Sequence, residues 1–259
     1  ITMSSVLHCL NLKKDDEVLV SNYTMVATAN VAKFVGIKVG LVDISHEDLC
    51  MCPDDLQKKI NKKTKVVIYT QMNGRVGKIN HIKKICKKNK ITLIEDSAHA
   101  IGSYYKKNHV GNSGLAGSFS FSMPKLITMG QGGAIITNSN KLANKLRLYK
   151  NFGRKKSGED RHDYIGYNFK ITDMQSMLAL SQLKSIKLRI KKKKEIFERY
   201  KNKLKNNLKI KFFDIKKNET PWSVDIYLKD VKKLKKILEK NKIFTRYVYP
   251  PLNSQKIYN

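Results

Sequence analysis

Short Val/Ile-rich runs alternate with helix-period patterns from the first residue onward, and this rhythm narrows the possible folds more than any other feature. DEVLVS, IKVGLVDI, KVVIYT and ITLIED read as strands ending near residues 21, 44, 70 and 96. TMSSVLHCLNL, TMVATANVAKFVG, PDDLQKKI and HIKKICKKNK before and between them read as helices, one closed by Gly36 and one opened by Pro53. Strands that are apolar throughout need cover on both faces, which predicts an α/β fold with a mostly parallel sheet covered by helices. Ligands of such sheets bind beyond the carboxyl ends of the strands. GSFSFSM and GGAIITN continue the strand series, and NKLANKLRLYKNFG is a helix stopped at Gly153.

After residue 150 the pattern changes. RKKSGEDRHDYIG is a polar, glycine-containing loop, and ITDMQSMLALSQLKSI through KKEIFERY reads as one long helical stretch. From about residue 208 apolar runs resume in KIKFFDI and PWSVDIYL, followed by the helix DVKKLKKILEKN and the run IFTRYVY. Three units are expected: a large α/β domain over 1–150, a loop and connecting helix over 151–207, and a smaller, partial α+β domain over 208–259.

The 259 residues carry 52 Lys and Arg against 21 Asp and Glu, a formal charge of +31. A nucleic-acid partner is still disfavoured. The lysines are spread over almost every polar segment, arginine is scarce, and no RNP-like, zinc-finger or basic-zipper pattern accompanies them. A Lys/Ile/Asn-rich composition is also what A/T-biased coding produces. No run of about 20 apolar residues or signal-peptide pattern argues for a membrane or secreted form. Cys9, Cys50, Cys52 and Cys86 lack zinc-ligand spacing, so no metal is expected and reduced, cytoplasmic thiols are the simplest reading.

The chemistry-bearing residues gather where strands meet loops. Asp96 closes ITLIED, where a carboxylate needs a cationic or hydrogen-bonding partner, and His99 follows it. In SFSFS the alternation sends Ser118, Ser120 and Ser122 to one face and Phe119 and Phe121 to the other. Lys125 follows an apolar strand and a proline, unlike its many solvated fellows, so it should lose hydration and deprotonate easily. GQGG lets the backbone turn tightly beside it. Singly, each residue has an ordinary structural explanation. Together, a carboxylate, an imidazole, a hydroxyl and a lysine at the binding edge match pyridoxal 5'-phosphate (PLP), which needs an amine, a carboxylate for its ring nitrogen, and donors for its phosphate.

The same motifs carry a family resemblance. DDEVLVSNYTMVATANVAKFVG, IEDSAHAIGS, GSFSFSMPKLITMGQGGAIITN, LRLYKNFG, GYNFKITDMQSMLALSQL and TRYVYPPLN follow the order seen in DegT/StrS-type nucleotide-sugar aminotransferases. These are PLP enzymes of the aspartate-aminotransferase fold, type I. The resemblance implies that Lys125 bears the cofactor, Asp96 faces its pyridine nitrogen, and His99 its ring oxygen. It places Ser120 at the phosphate and sends Asn168, of GYNF, to the phosphate of a neighbouring subunit, so that a homodimer with shared sites is expected. The family's Gly-Thr phosphate loop would lie just before Ile1, leaving the Ile1 amide as this chain's share of it. Met25 stands where the family stacks an aromatic residue on the ring, and Asn253 replaces the histidine of a PLH motif.

The implied activity is transfer of an amino group, with glutamate as donor, to a nucleotide-linked keto-deoxysugar in cell-surface polysaccharide or glycan biosynthesis. Alternatives within the fold are a PLP-dependent sugar dehydratase, in which histidine replaces the lysine, and a non-catalytic relative. A basic polyanion-binding module is the alternative from another class.

Overall fold

The structure, a computed structural model, describes residues 1–156 and 158–258. Its first part is built on eight strands: β1 (Glu17–Ser21), β2 (Lys38–Val42), β3 (Thr64–Thr70), β4 (Thr92–Asp96), β5 (Tyr104–Tyr105), β6 (Asn108–His109), β7 (Ala116–Ser120) and β8 (Gly133–Ile136). Six of them form one sheet in the order β2-β1-β3-β4-β7-β8. All neighbours are parallel except β8, which runs antiparallel to β7. β5 and β6 form a separate hairpin that the sequence rhythm did not reveal.

Five helices cover this sheet: α1 (Thr2–Cys9), α2 (Val26–Phe34), α3 (Pro53–Lys59), α4 (Ile79–Lys88) and α5 (Asn140–Tyr149). The period of two in each strand divides the core. Val66 and Ile68 of β3 pack with Val6 and Leu7 of α1 and Ala29 and Ala32 of α2, whereas Val67 and Tyr69 pack with Leu56 of α3 and Ile79 and Ile82 of α4. All four of these β3 residues are fully buried. Each aliphatic side chain so placed contributes about 1.5–3 kcal/mol, so the central strands anchor whatever sits at their carboxyl ends.

The long helical stretch is two helices, α6 (Asp173–Leu183) and α7 (Ile186–Leu204), broken at Lys184–Ser185. A capping box at Thr172 and Gln175 starts α6. The last part holds β9 (Lys211–Phe212), β10 (Ile226–Tyr227) and α8 (Val231–Lys240). β9 and β10 pair antiparallel and are much shorter than their apolar runs suggested, and IFTRYVY forms no strand. These segments are tied to the sheet by polar contacts rather than by further strands. Arg75, fully buried after β3, makes a two-pronged ion pair with Asp225 at 2.7 and 2.8 Å and donates to the Phe213 and Asp214 carbonyls. Glu219 accepts from the Val76 amide at 2.8 Å. Gly74 has φ +86°, and a Cβ there would lie 1.9 Å from the Thr220 carbonyl oxygen, so this crossing requires glycine.

Candidate active site

β4 ends at Asp96 and β7 at Ser120, side by side at the carboxyl edge of the sheet. Asp96 is buried. Its Oδ2 accepts from the Thr28 hydroxyl at 2.7 Å and its Oδ1 from the Ala98 amide at 3.2 Å. Burial pushes its pKa above the usual carboxylate value, while Thr28, the Ala98 amide and the charge of Lys125 oppose the rise.

Lys125 sits in the turn after β7, where its amide donates to the Ser122 carbonyl. Desolvation brings its ammonium down from 10.5 to about 8, helped by the charge of Arg246 and opposed by that of Asp96. Its Nζ lies 4.6 Å from the centre of the Trp222 ring. Trp222 arrives from beyond α7, and its indole N–H donates to the Pro124 carbonyl at 2.8 Å, which clamps the turn that carries the lysine.

Stacked on Trp222 is His99, with rings 4.0 Å apart and inclined by 7°. Its Nε2 lies 3.5 Å from the Tyr249 hydroxyl, and its Nδ1 is buried without a partner among the described residues. Burial, together with the charges of Lys125 and Arg246, drives His99 down to about 3, so it is neutral at physiological pH. The structure therefore gathers Asp96, His99 and Lys125 into one electrostatically coupled group.

The remaining expected residues lie around this group. The Ser120 hydroxyl is 3.2 Å from that of Ser122. Ser118, on the same face of β7, meets the Thr2 hydroxyl at 2.6 Å and so joins the strand end to the first turn of α1, which follows Ile1. Gly133 leaves room for Thr2, since a Cβ there would lie 2.9 Å from its Cγ2. Met25 is the N-cap of α2 and is half exposed. Asn168 is exposed and bridges to Asn151; among the described residues neither it nor Met25 hydrogen-bonds to Asp96, His99 or Lys125. Asn253 pairs with Asn22, its Oδ1 accepting from the Asn22 amide group at 3.1 Å and its own N–H donating back at 2.9 Å.

Sequence reasoning missed Thr28, Trp222 and Tyr249. The one available signal was that Trp222 is the single tryptophan of the chain. In the sequence its run, PWSVDIYL, reads only as an apolar stretch.

The donor set fits PLP. A buried imidazole nitrogen without a partner among the described residues, a depressed amine and a buried carboxylate are the counterparts of a phenolic oxygen, a carbonyl and a pyridinium. The family model "DegT/DnrJ/EryC1/StrS aminotransferase family" matches residues 2–259. The chain belongs to this family. Its members are PLP-dependent aminotransferases. The chain is 30% identical to the GDP-perosamine synthase of Escherichia coli O157:H7, covering all of this chain and 72% of that protein. It is 32% identical to the Vibrio cholerae GDP-perosamine synthase, over 79% of this chain and 56% of that one. Helicobacter pylori PseC, an aminotransferase involved in the biosynthesis of pseudoaminic acid, superposes with a TM-score of 0.93 at 29% identity, over 99% of this chain and 72% of its own. Spr1654 from Streptococcus pneumoniae superposes in a PLP-form and a PMP-form at 24% and 23% identity, with TM-scores of 0.92, and shares the fold. The chain has the type I fold of these PLP-dependent aminotransferases.

Proposed function

We propose that this family member moves an amino group from an amino acid, glutamate being the simplest donor, to a keto group on a nucleotide-linked deoxysugar. The coupled Asp96–His99–Lys125 group carries this reading, together with relatives that act on a GDP-linked sugar and in pseudoaminic acid biosynthesis. When bound, PLP supplies a carbonyl that receives and returns the amino group and a protonated ring that draws off electron density. Lys125 would hold the cofactor through its amine, and a pKa near 8 leaves that amine partly neutral and so able to take up a proton from the amino donor. Asp96 would hold the pyridine nitrogen in its protonated form, and His99, neutral and with a buried Nδ1 that has no partner among the described residues, would serve the ring oxygen. Ser120 and the start of α1 would serve the phosphate. The Trp222 ring, stacked on His99, packs beside the amine.

The shared homodimeric site is part of the same proposal. Asn168 is exposed, and α6 presents Met174, Met177, Leu178 and Leu180 to solvent, an apolar face suited to a second copy. Cys9, Cys50 and Cys86 are buried free thiols, which fits a reducing cytoplasm, and among the described residues no helix is long and apolar enough to cross a membrane. A dehydratase is the weaker reading because Lys125 stands where those enzymes carry histidine.

The test is a purified chain given PLP, glutamate and a GDP-linked keto-deoxysugar. An absorbance band above roughly 400 nm that disappears in Lys125→Ala, with glutamate-dependent appearance of an amino sugar, supports the proposal. Loss of the keto sugar without nitrogen transfer would transfer support to the dehydratase. A chain that forms no band yet binds unrelated DNA in a salt-sensitive way would be a polyanion module.

A further inference from the structure

Below Asp96 lies a line of three buried threonines that the chemistry above does not use. The Thr28 hydroxyl is 2.7 Å from Asp96 Oδ2, Thr24 is 3.1 Å from Thr28, and Thr70 is 3.2 Å from Thr24. All three are at most 4% exposed. They come from separate places: Thr24 from the segment before α2, Thr28 from the first turn of α2, and Thr70 from the end of β3. The parallel register pairs Thr70 directly with Asp96, so both side chains leave the sheet on the same side.

Each hydroxyl has a single proton, and this fixes the direction of the line. An ionised Asp96 can only accept, so Thr28 must point its proton at Oδ2. Thr28 then accepts from Thr24, and Thr24 accepts from Thr70. In the reverse arrangement Asp96 must carry a proton and donate it, and the last proton, on Thr70, finds no further acceptor among the described residues. Among the described residues only the first direction gives every threonine proton an acceptor, and it aims the Thr28 proton at Oδ2, where it favours the ionised carboxylate.

We propose that Thr70, Thr24 and Thr28 form a one-way donor relay that positions Asp96 and holds it ionised. Its use in catalysis rests on the PLP reading above, since Asp96 must be negative to hold a pyridinium. The relay itself is a property of the cofactor-free chain. The charged or titratable groups coupled to Asp96 are Lys125, from the turn after β7, and Tyr249, from the C-terminal segment; Glu95 turns to the opposite face, where Gln71 and the amides of Gly111, Ser113 and Gly114 donate to it. Lys125 supports ionisation from the site side, and Thr28 from the sheet side.

The experiment titrates the Asp96 carboxyl by carbon-13 NMR in the cofactor-free protein, with Asp96→Asn identifying the signal. Thr28→Val keeps the shape and removes the hydroxyl, whereas Thr28→Ser keeps the hydroxyl and removes a methyl group. The relay predicts that Thr28→Val raises the Asp96 midpoint by about one to two pH units, the scale of a hydrogen bond to a charged group, while Thr28→Ser leaves it near wild type. Packing alone predicts the opposite ranking. An unmoved midpoint in Thr28→Val, or an equal rise in Thr28→Ser, overturns the relay. Should Thr28→Val not fold, Thr24→Val takes its place, with a smaller rise expected and an unmoved midpoint overturning the proposal. PLP never enters this measurement, so its failure beside an intact cofactor spectrum would remove the relay and leave the activity standing.

Discussion

The amine of Lys125 offers the sharpest quantitative prediction. A folded-state value near 8 against an ordinary 10.5 means that folding strips hydration from an ammonium. At pH 7.5 such an amine is about one-quarter neutral, against roughly one part in a thousand for a surface lysine, a gain in reactive amine of about 200-fold. The sign of the stability effect follows from proton counting. Between pH 8 and 10.5 the unfolded chain holds the proton and the folded chain has lost it, so stability rises with pH across that window, and the penalty is complete below about 8. The full shift corresponds to about 3 kcal/mol. The side chain is partly exposed, so screening cuts this to about 1–2 kcal/mol. Competitive acylation with a limiting reagent, read peptide by peptide, gives the midpoint of Lys125 in the cofactor-free protein. Urea unfolding of wild type and Lys125→Met at pH 7.5 and 10 isolates its stability effect, with Lys125→Met the more stable at the lower pH by that 1–2 kcal/mol. A Lys125 midpoint at 10 or above, or no difference between the two proteins, would show that the turn leaves the amine fully hydrated and refute the reasoning.

Three further outcomes follow from the same geometry. Asp96→Asn should keep the Lys125-dependent cofactor band but slow single-turnover amino transfer by about two decades, the equivalent of ~3 kcal/mol for a lost buried ion pair. His99, at about 3 in the folded chain against 6.5 when unfolded, should stay neutral through the working range; stability should fall as pH drops from 6.5 toward 3, and His99→Gln should flatten that decline in acid titrations monitored by circular dichroism. Arg75→Leu strands the buried Asp225 carboxylate and should lower urea-derived stability by about 3–5 kcal/mol, with much of the loss recovered in Arg75→Leu/Asp225→Leu.

The sheet was legible because its signal is local and repeated. β1, β3 and β4 announce themselves through runs such as KVVIYT, and burial on both faces leaves them no choice of amphipathic pattern. Asp96 and Lys125 were legible for the opposite reason, as polar residues placed where an apolar strand stops. The break at Lys184–Ser185 was not legible, since good helix formers run on both sides of it and only tertiary contacts place the two helices: Gln182 is tied to Thr128 by two hydrogen bonds and Arg189 to the Leu126 carbonyl. The short β9 and β10 escaped for a related reason. The backbone of residues 213–225 is held by Arg75, Asn73 and Ser103, partners more than 100 residues away, and no window of sequence contains both sides of such a contact.

The residues that sequence reasoning missed differ in kind from those it found. Asp96, His99 and Lys125 have side chains whose chemistry is recognisable at once, whereas Thr28, Trp222 and Arg75 act by holding another group in place. Burial pushes the carboxylate up and the amine down, toward a neutral pair, and each is then brought part of the way back by a specific neighbour: Asp96 by Thr28 and the Ala98 amide, Lys125 by Asp96. The balance decides whether the site presents a negative acceptor beside a reactive amine or an inert acid beside an inert cation. Removing Thr28 or Trp222 would leave every chemically obvious residue in the sequence untouched. It would still alter the surroundings of Asp96 and Lys125, the groups to which the proposed reaction is assigned, and with them the desolvation that sets this lysine apart from so many others.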